Sequence, residues 1–319
     1  MIAVFAGLRA HLARVEAIMG EALASPEPRV AALIADIGPF HGKMLRPALV
    51  LLVAETLSGV HENHRRLGAA LELIHSATLV HDDLIDDADT RRGQATAHTR
   101  FGNTTAVLLG DYLYTHAFHL VATMGDATCM ARLTATTNVV CRGELHQQMA
   151  ARDTGLTEGE YEAIIYAKTA ALTELAGELG AIDGTPAERA AAAAYGRACG
   201  MAFQIVDDCL DFSGDAQKVG KTLATDVERG RLTLPLIRLL RNAPAAERPA
   251  LAAKLTSATT PDEVAAVRKL VTASGCLQES LLRAREFVAE AHKQLLVLPA
   301  GPGRKKLEEL ADFIVVRDF

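Results

Sequence analysis

The sequence predicts an all-α fold, and three observations carry that prediction. Strong helix formers run in helix-length blocks, β-branched alternation over strand-length windows is scarce, and helix-start signatures recur along the chain. Taken in order, residues 49–54 (Leu-Val-Leu-Leu-Val-Ala) are one such block, and 71–80 read as a buried apolar helix. Residues 105–120 form a further helical stretch. Thr157 with Glu160, Thr185 with Glu188 and Thr260 with Glu263 have the capping-box form, and Pro186 and Pro261 stand at first helical positions. Residues 172–179 and 190–194 are Leu- and Ala-rich, and 202–206 lead into an acidic cluster. Turn chemistry falls between these segments at Ser25-Pro26-Glu27-Pro28, Gly38-Pro39, Asp183-Gly184, Asn242-Ala243-Pro244 and residues 299–303. With no short repeat and no low-complexity linker, residues 1–319 read as a single domain with a smaller helical C-terminal third.

Composition excludes several classes. Of 319 residues 50% are hydrophobic, 23% charged and 4% aromatic, an ordinary globular balance that needs no disulfide scaffold. A formal charge of -6 disfavours nucleic acid, whose phosphates demand clustered cations. Cys129, Cys141, Cys199, Cys209 and Cys276 show no C-x-x-C pairing and read as reduced, mostly buried thiols. The N-terminus lacks a basic leader, and no uncharged apolar run is long enough to span a bilayer. The expected setting is therefore cytoplasmic.

The chemistry concentrates in two acidic clusters. Asp82, Asp83, Asp86, Asp87 and Asp89 crowd eight positions, and Asp207, Asp208 and Asp211 repeat the same D-D-x-x-D spacing on a second apolar helix. Like charges one helical turn apart repel by roughly 0.2–0.5 kcal/mol per pair, and Asp is a poor helix former. One such cluster reads equally as a solvated acidic face; two on apolar helices point to function. Carboxylates without His or Cys partners suit hard cations, above all Mg²⁺ shared with substrate phosphates. The cations Lys43, Arg46, Arg91, Arg92, Lys168, Lys221 and Arg231 read singly as surface charges and jointly as two anion pockets.

These residues resemble the trans-isoprenyl diphosphate synthase (polyprenyl synthetase) family. Asp82-Asp83-Leu84-Ile85-Asp86 with Arg91-Arg92-Gly93 resembles its first aspartate-rich motif, and Phe203-Gln204-Ile205-Val206-Asp207-Asp208-Cys209-Leu210-Asp211 its second. Further matches run in order through Gly42, Phe101-Gly102-Asn103, Gly110-Asp111-Tyr112-Leu113, Gly143-Glu144, Lys168-Thr169-Ala170 and Thr233-Leu234-Pro235. Two departures are His41-Gly42-Lys43-Met44, where the family often has Gly-Gly-Lys-Arg, and Arg231, where Lys is common; both keep the main cations.

The resemblance implies a single large bundle of antiparallel helices around a deep central cavity, the type I isoprenoid synthase fold. It implies Mg²⁺-dependent head-to-tail (1'-4) condensation of isopentenyl diphosphate with an allylic diphosphate. Three Mg²⁺ per site are expected, with Mn²⁺ able to substitute. By resemblance Asp82, Asp86 and Asp207 bind metal directly, and Asp83, Asp208 and Asp211 support them through water. Arg91, Lys168 and Lys221, with Thr169 and Gln204, hold the allylic diphosphate; Lys43, Arg46, His75 and Arg92 hold isopentenyl diphosphate, and Arg317 closes over it. Asp82, Asp86, Asp207, Lys168 and Lys221 are the catalytic set. A homodimer is the family expectation, and a long product would draw the enzyme to the membrane surface. Residues 213–230 read as a mobile lid.

Product length depends on what lies beneath Asp82. One helical turn is about 5.4 Å, and Ala77 and Thr78 stand there, small where short-chain members place aromatic floors. A growing tail can then pass toward Ile74 and Leu71, with Phe118 as a deeper floor. The same small residues also read as ordinary close helix packing. The expected product is an all-trans polyprenyl diphosphate longer than C20. The alternatives are a farnesyl or geranylgeranyl synthase, a silent subunit of a heteromeric synthase, a terpene cyclase or squalene-type synthase, and a phosphohydrolase built on His81-Asp82. Intact motifs stand against the silent subunit and, with Lys43 and Arg46, against the cyclase; the phosphohydrolase needs further His ligands, and the spacing of His75 and His98 suggests no such site.

Overall fold

The computed structural model describes residues 7–37, 44–91, 93–213 and 225–316, nearly all of them helical. Contacts divide the chain into two compact units, one of Met1–Thr136, Leu175–Ala193 and Leu295–Glu309, the other of Thr137–Glu174, Ala194–Gln294 and Leu310–Phe319.

The first unit begins with α1 (Arg9–Ala22), α2 (Pro28–Ile37) and α3 (Leu45–Leu57). Residues 49–54 of α3 are each at most 4% exposed, which explains why this helix is apolar on every side. The long α4 (Glu62–Ile85) packs along α6 (Asn103–Ala122) and is flanked by α1 and α3. Its middle, from Leu67 to Ile74 and on to Ala77, is buried, so the predicted buried helix before the first acidic cluster is present. Near its start His64 is fully buried, and desolvation lowers its pKa to about 4, so the ring is neutral.

α4 stops inside the acidic cluster. Ala88 N–H reaches the Asp83 carbonyl at 2.9 Å and Asp87 N–H the Leu84 carbonyl at 3.2 Å, the paired bonds of a Schellman end. Asp87 supplies the required left-handed residue at φ 49°, a conformation Asp tolerates better than most side chains. The chain then forms a two-residue antiparallel hairpin, β1 (Thr90–Arg91) with β2 (Gln94–Ala95), which the helix-only reading did not anticipate. α5 (Ala97–Phe101) follows. α7 (Ala127–Met149) starts in this unit and ends in the second.

In the second unit α8 (Glu158–Ile165) opens with the predicted Thr157 and Glu160 box: the Glu160 amide donates to the Thr157 hydroxyl at 3.2 Å, and the Glu160 carboxylate accepts from the Thr157 amide at 2.9 Å. α8 runs into a π-helical turn, Tyr166–Ala170, and then α9 (Ala171–Gly180). α10 (Pro186–Ser213), α11 (Thr225–Glu228), α12 (Leu234–Asn242), α13 (Arg248–Ser257), α14 (Pro261–Ala273), α15 (Cys276–Leu295) and α16 (Pro302–Val316) complete the chain. The Thr185 and Thr260 boxes at the starts of α10 and α14 are also formed.

Two local expectations change. Pro302 and Gly303 lie in the first turn of α16 rather than in a connection. Of the expected lid, Val227 and Gly230 are buried: Val227 is 1% exposed, α11 contacts α14, and Gly230 N–H returns to the Val227 carbonyl at 2.9 Å. Residues 214–224 lie outside the described ones. All five cysteines are unpaired; four are buried and Cys141 is exposed, and burial pushes the Cys129, Cys199 and Cys209 thiols up to about 12. Among the described residues no helix is long and apolar enough to cross a membrane.

Candidate active site

The first motif occupies the last turn of α4. Asp82 and Asp86 are half-buried, while Asp83 is 7% exposed and accepts from Arg91 Nε at 2.7 Å. Burial pushes the Asp83 carboxyl up, and the Arg91 guanidinium pulls it back. The tie joins hairpin to helix and holds the buried middle carboxylate between its two half-buried neighbours.

His81 aims at α6 instead of joining Asp82. Its ring lies over Gly110, where a Cβ would stand 2.0 Å from His81 Nε2, and Nε2 is 3.2 Å from the Val107 carbonyl. Only glycine leaves room for this ring, so Gly110 sets how closely α6 approaches the helix turn that bears Asp82. Ala77, about one turn below Asp82, and Ile74, about two turns below, are fully buried, and half-buried Thr78 donates its hydroxyl to the His75 carbonyl at 2.8 Å. Phe118 of α6 stacks on Tyr114 at 6.1 Å between ring centroids.

Arg46, in the first turn of α3, has a buried Nε without a hydrogen-bond partner among the described residues. Burial lowers its pKa, opposed by the charge of Glu72, which is 1% exposed on α4. A buried guanidinium with an unused donor is suited to an anion. His75 lies three residues beyond Glu72 on α4.

The second motif sits near the end of α10. Asp208 is 5% exposed; Tyr161 donates its hydroxyl to Asp208 Oδ2 at 2.5 Å, and Gln204 Nε2 donates to Oδ1 at 2.9 Å. Thr169 donates to Gln204 Oε1 at 2.8 Å, extending the chain of bonds onto the π turn. Burial, with the charges of Asp226 and Asp207, pushes the Asp208 carboxyl well above the usual range, while Tyr161 and Gln204 oppose the rise. Asp207 and Asp211 remain half-buried, as Asp82 and Asp86 do in the first motif.

Lys168, on the π turn, donates to Glu144 Oε2 at 2.8 Å and Gln147 Oε1 at 3.0 Å. The turn lies against α7 at Gly143, where a Cβ would meet the Ala167 Cβ at 2.7 Å and the Lys168 nitrogen at 2.8 Å. π bulges inside helices recur at functional sites. Here one brings Lys168 and Thr169 onto a cavity of about 120 Å³ that is also lined by Gln204, Asp208, Asp226 and Arg231. Arg231 approaches Asp226 at 3.9 Å.

Lys43, Arg92, Lys221 and Arg317 lie outside the described residues. Tyr161, Asp226 and Glu72 were missed from sequence. Tyr161 and Asp208 stand 47 positions apart with no local pattern linking them. Each motif offers carboxylate oxygens as its donors, with one buried carboxyl between half-buried ones, and Asp211 Oδ2 accepts from the Asp226 amide at 3.4 Å. This donor set fits a hard divalent cation such as Mg²⁺ and not a thiolate- or imidazole-seeking metal.

Residues 27–273 match the polyprenyl synthetase family. The octaprenyl diphosphate synthase of Haemophilus influenzae is 36% identical over 280 residues, covering 87% of this chain and 85% of that one. The all-trans-nonaprenyl-diphosphate synthase (geranyl-diphosphate specific) of Rhodobacter capsulatus is 33% identical over 309 residues, covering 96% and 95%. Among solved structures, the polyprenyl synthase of Caulobacter crescentus, crystallised with calcium and isoprenyl diphosphate, superposes with a TM-score of 0.93 at 32% identity, over 99% of this chain and 97% of that one. Both aspartate motifs fall inside the matched span and the isoprenoid synthase fold is shared over nearly the whole chain: this protein belongs to the polyprenyl synthetase family of prenyltransferases.

Proposed function

We propose that residues 1–319 act as one synthase domain that condenses isopentenyl diphosphate head-to-tail with an allylic diphosphate, giving an all-trans polyprenyl diphosphate longer than C20. The observation that carries this reading is the shared build of the two motifs, in which a buried middle carboxyl, held by a cation or by Tyr161 and Gln204, lies between half-buried carboxylates.

In this reading Asp82, Asp86 and Asp207 ligate Mg²⁺, three ions per site, and Asp83, Asp208 and Asp211 support them. Mg²⁺ held by these carboxylates would supply positive charge to offset that of the departing diphosphate, so that the allylic C–O bond can ionise. Lys168, Arg91 and Lys221, with Thr169 and Gln204, hold that diphosphate. To reach it Lys168 gives up part of its contact with Glu144 and Gln147, which otherwise keep its ammonium in place. Arg46, His75, Lys43 and Arg92 hold isopentenyl diphosphate so that its double bond faces the ionising carbon; the unused Nε of Arg46 supports that role. No side-chain nucleophile takes part, and the proton leaves to the released diphosphate.

Small buried Ala77, the long-chain names of the relatives and the half-buried Thr78 support a product beyond C20. The enzyme acts as a cytoplasmic homodimer in this reading. Incubation with Mg²⁺, farnesyl diphosphate and labelled isopentenyl diphosphate, followed by sizing of the products, tests it. Chains longer than C20 are expected; a ladder that stops at C15 or C20 overturns the length assignment, and no condensation at all overturns the activity.

A further inference from the structure

A second cluster of ligating side chains lies at the opposite end of α4 from the aspartates. His61 precedes the helix, His64 sits in its first turn, and Asp183 lies in the connection between α9 and α10, all within the first unit. Among the described residues these three are the set of His, Cys, Asp or Glu side chains whose ligand atoms all lie within 4.8 Å of one another.

His61 Nε2 is 2.6 Å from Asp183 Oδ2, and His64 Nε2 is 3.7 Å from the same oxygen. The two rings are 3.9 Å apart and tilted by 48°. The Ser58 hydroxyl donates to Asp183 Oδ2 at 3.4 Å, turning the carboxylate toward the rings. A charge-assisted bond between His61 and Asp183 accounts for two of the three residues. It does not account for His64, which is 0% exposed and whose Nε2 is buried without a hydrogen-bond partner while aimed at the Asp183 carboxylate. Buried polar groups are nearly always paired, so this nitrogen calls for a partner.

We propose that His61, His64 and Asp183 bind a divalent imidazole-seeking metal ion, Zn²⁺ by preference, with water in the fourth position. Two neutral imidazoles and one carboxylate form a ligand set for zinc rather than for Mg²⁺. Ligand atoms around tetrahedral zinc stand roughly 3.3 Å apart, given metal–ligand distances of about 2.0–2.2 Å. The observed 2.6 and 3.7 Å straddle that separation, and the exposed His61 and Asp183 side chains have room to adjust. Coordination through His64 Nε2 moves the ring proton to Nδ1, which then releases the 3.3 Å bond it accepts from the His61 amide. That bond is long, and the His61 amide is at an exposed residue where water replaces it.

The site is separate from the aspartate motifs: Asp82 lies eighteen residues beyond His64, about 27 Å along the helix. The bound ion clasps the start of α4 to the connection before α10 and stabilises the folded unit by mass action.

The test titrates the chelator-stripped, full-length chain with Zn²⁺ in saturating Mg²⁺, using calorimetry and thermal melting. It compares wild type with His61→Ser, which keeps a helix-capping side chain, with Asp183→Asn, and with Asp82→Asn. Wild type and Asp82→Asn are expected to bind one zinc with the same affinity and to melt higher with it. His61→Ser and Asp183→Asn are expected to bind at least tenfold more weakly and to lose the zinc-dependent shift. Co²⁺ in place of Zn²⁺ is expected to show tetrahedral visible bands in wild type and not in His61→Ser. Equal zinc affinity in wild type and His61→Ser, or weakening by Asp82→Asn alone, overturns the proposal.

Discussion

Replacing Tyr161 by Phe removes a single hydroxyl and leaves the ring in place. The ring is 3% exposed and its hydroxyl donates at 2.5 Å to Asp208, itself 5% exposed, so the substitution opens almost no cavity and isolates one buried bond. Hydrogen bonds to charged groups contribute about 1.5–3 kcal/mol and neutral ones about 0.5–1.5 kcal/mol. The loss therefore depends on the Asp208 charge, and pH separates the two cases. The Asp208 pKa is raised in the folded protein, chiefly by burial, so its contribution is most favourable below the ordinary carboxylate range and is lost as pH rises through the folded value. Tyr161 opposes that rise by stabilising the ionised form. Without the hydroxyl the folded pKa climbs further, and the destabilisation grows from about 1 kcal/mol where Asp208 is protonated toward about 3 kcal/mol where it is ionised. Denaturant melts of both proteins from the ordinary carboxylate range upward, over every pH at which both fold and with metal removed, measure it. A destabilisation that is flat or that shrinks as pH rises refutes the assignment of Tyr161 as the anchor of Asp208.

Three further outcomes are expected. Gly110→Ala places a methyl group against the His81 ring and costs about 1–3 kcal/mol through overpacking; it also lowers kcat by displacing the turn that bears Asp82, and an unchanged kcat and melting temperature would show that the helices yield freely. Asp87→Gly relieves the left-handed residue at the end of α4 and raises stability by up to about 1 kcal/mol in urea unfolding, whereas a loss would mean that the Asp87 side chain contributes more than its backbone strain. Ala77→Phe shortens the product ladder sized by chromatography, and an unchanged distribution would show that this fully buried position does not line the path of the growing tail.

Local sequence carried much of this protein because its signals are local in origin. Thr157, Thr185 and Thr260 meet partners only three residues on, so the capping boxes are written in the chain itself. The apolar run of α3 and the D-D-x-x-D spacing on α4 and α10 are equally readable, since one helical turn decides which residues share a face. The end of α4 was less legible: the left-handed residue is Asp87, and the spacing of aspartates does not mark it as a helix stop. The hairpin of Thr90–Arg91 and Gln94–Ala95 was invisible because two-residue strands have no measurable period.

Helix content and the positions of both acidic motifs follow from interactions within a few residues, and the sequence alone determines them. Tertiary structure decides which carboxylates are buried and what holds them, because burial depends on partners far along the chain. Asp208 is held by Tyr161, 47 positions earlier, and His61 meets Asp183 across 122 positions. Lys168 reaches its partners on α7 through a π turn that depends on Gly143 lying against Ala167. Contacts of that range leave no periodic trace in a sequence; only the closed fold brings their two ends together.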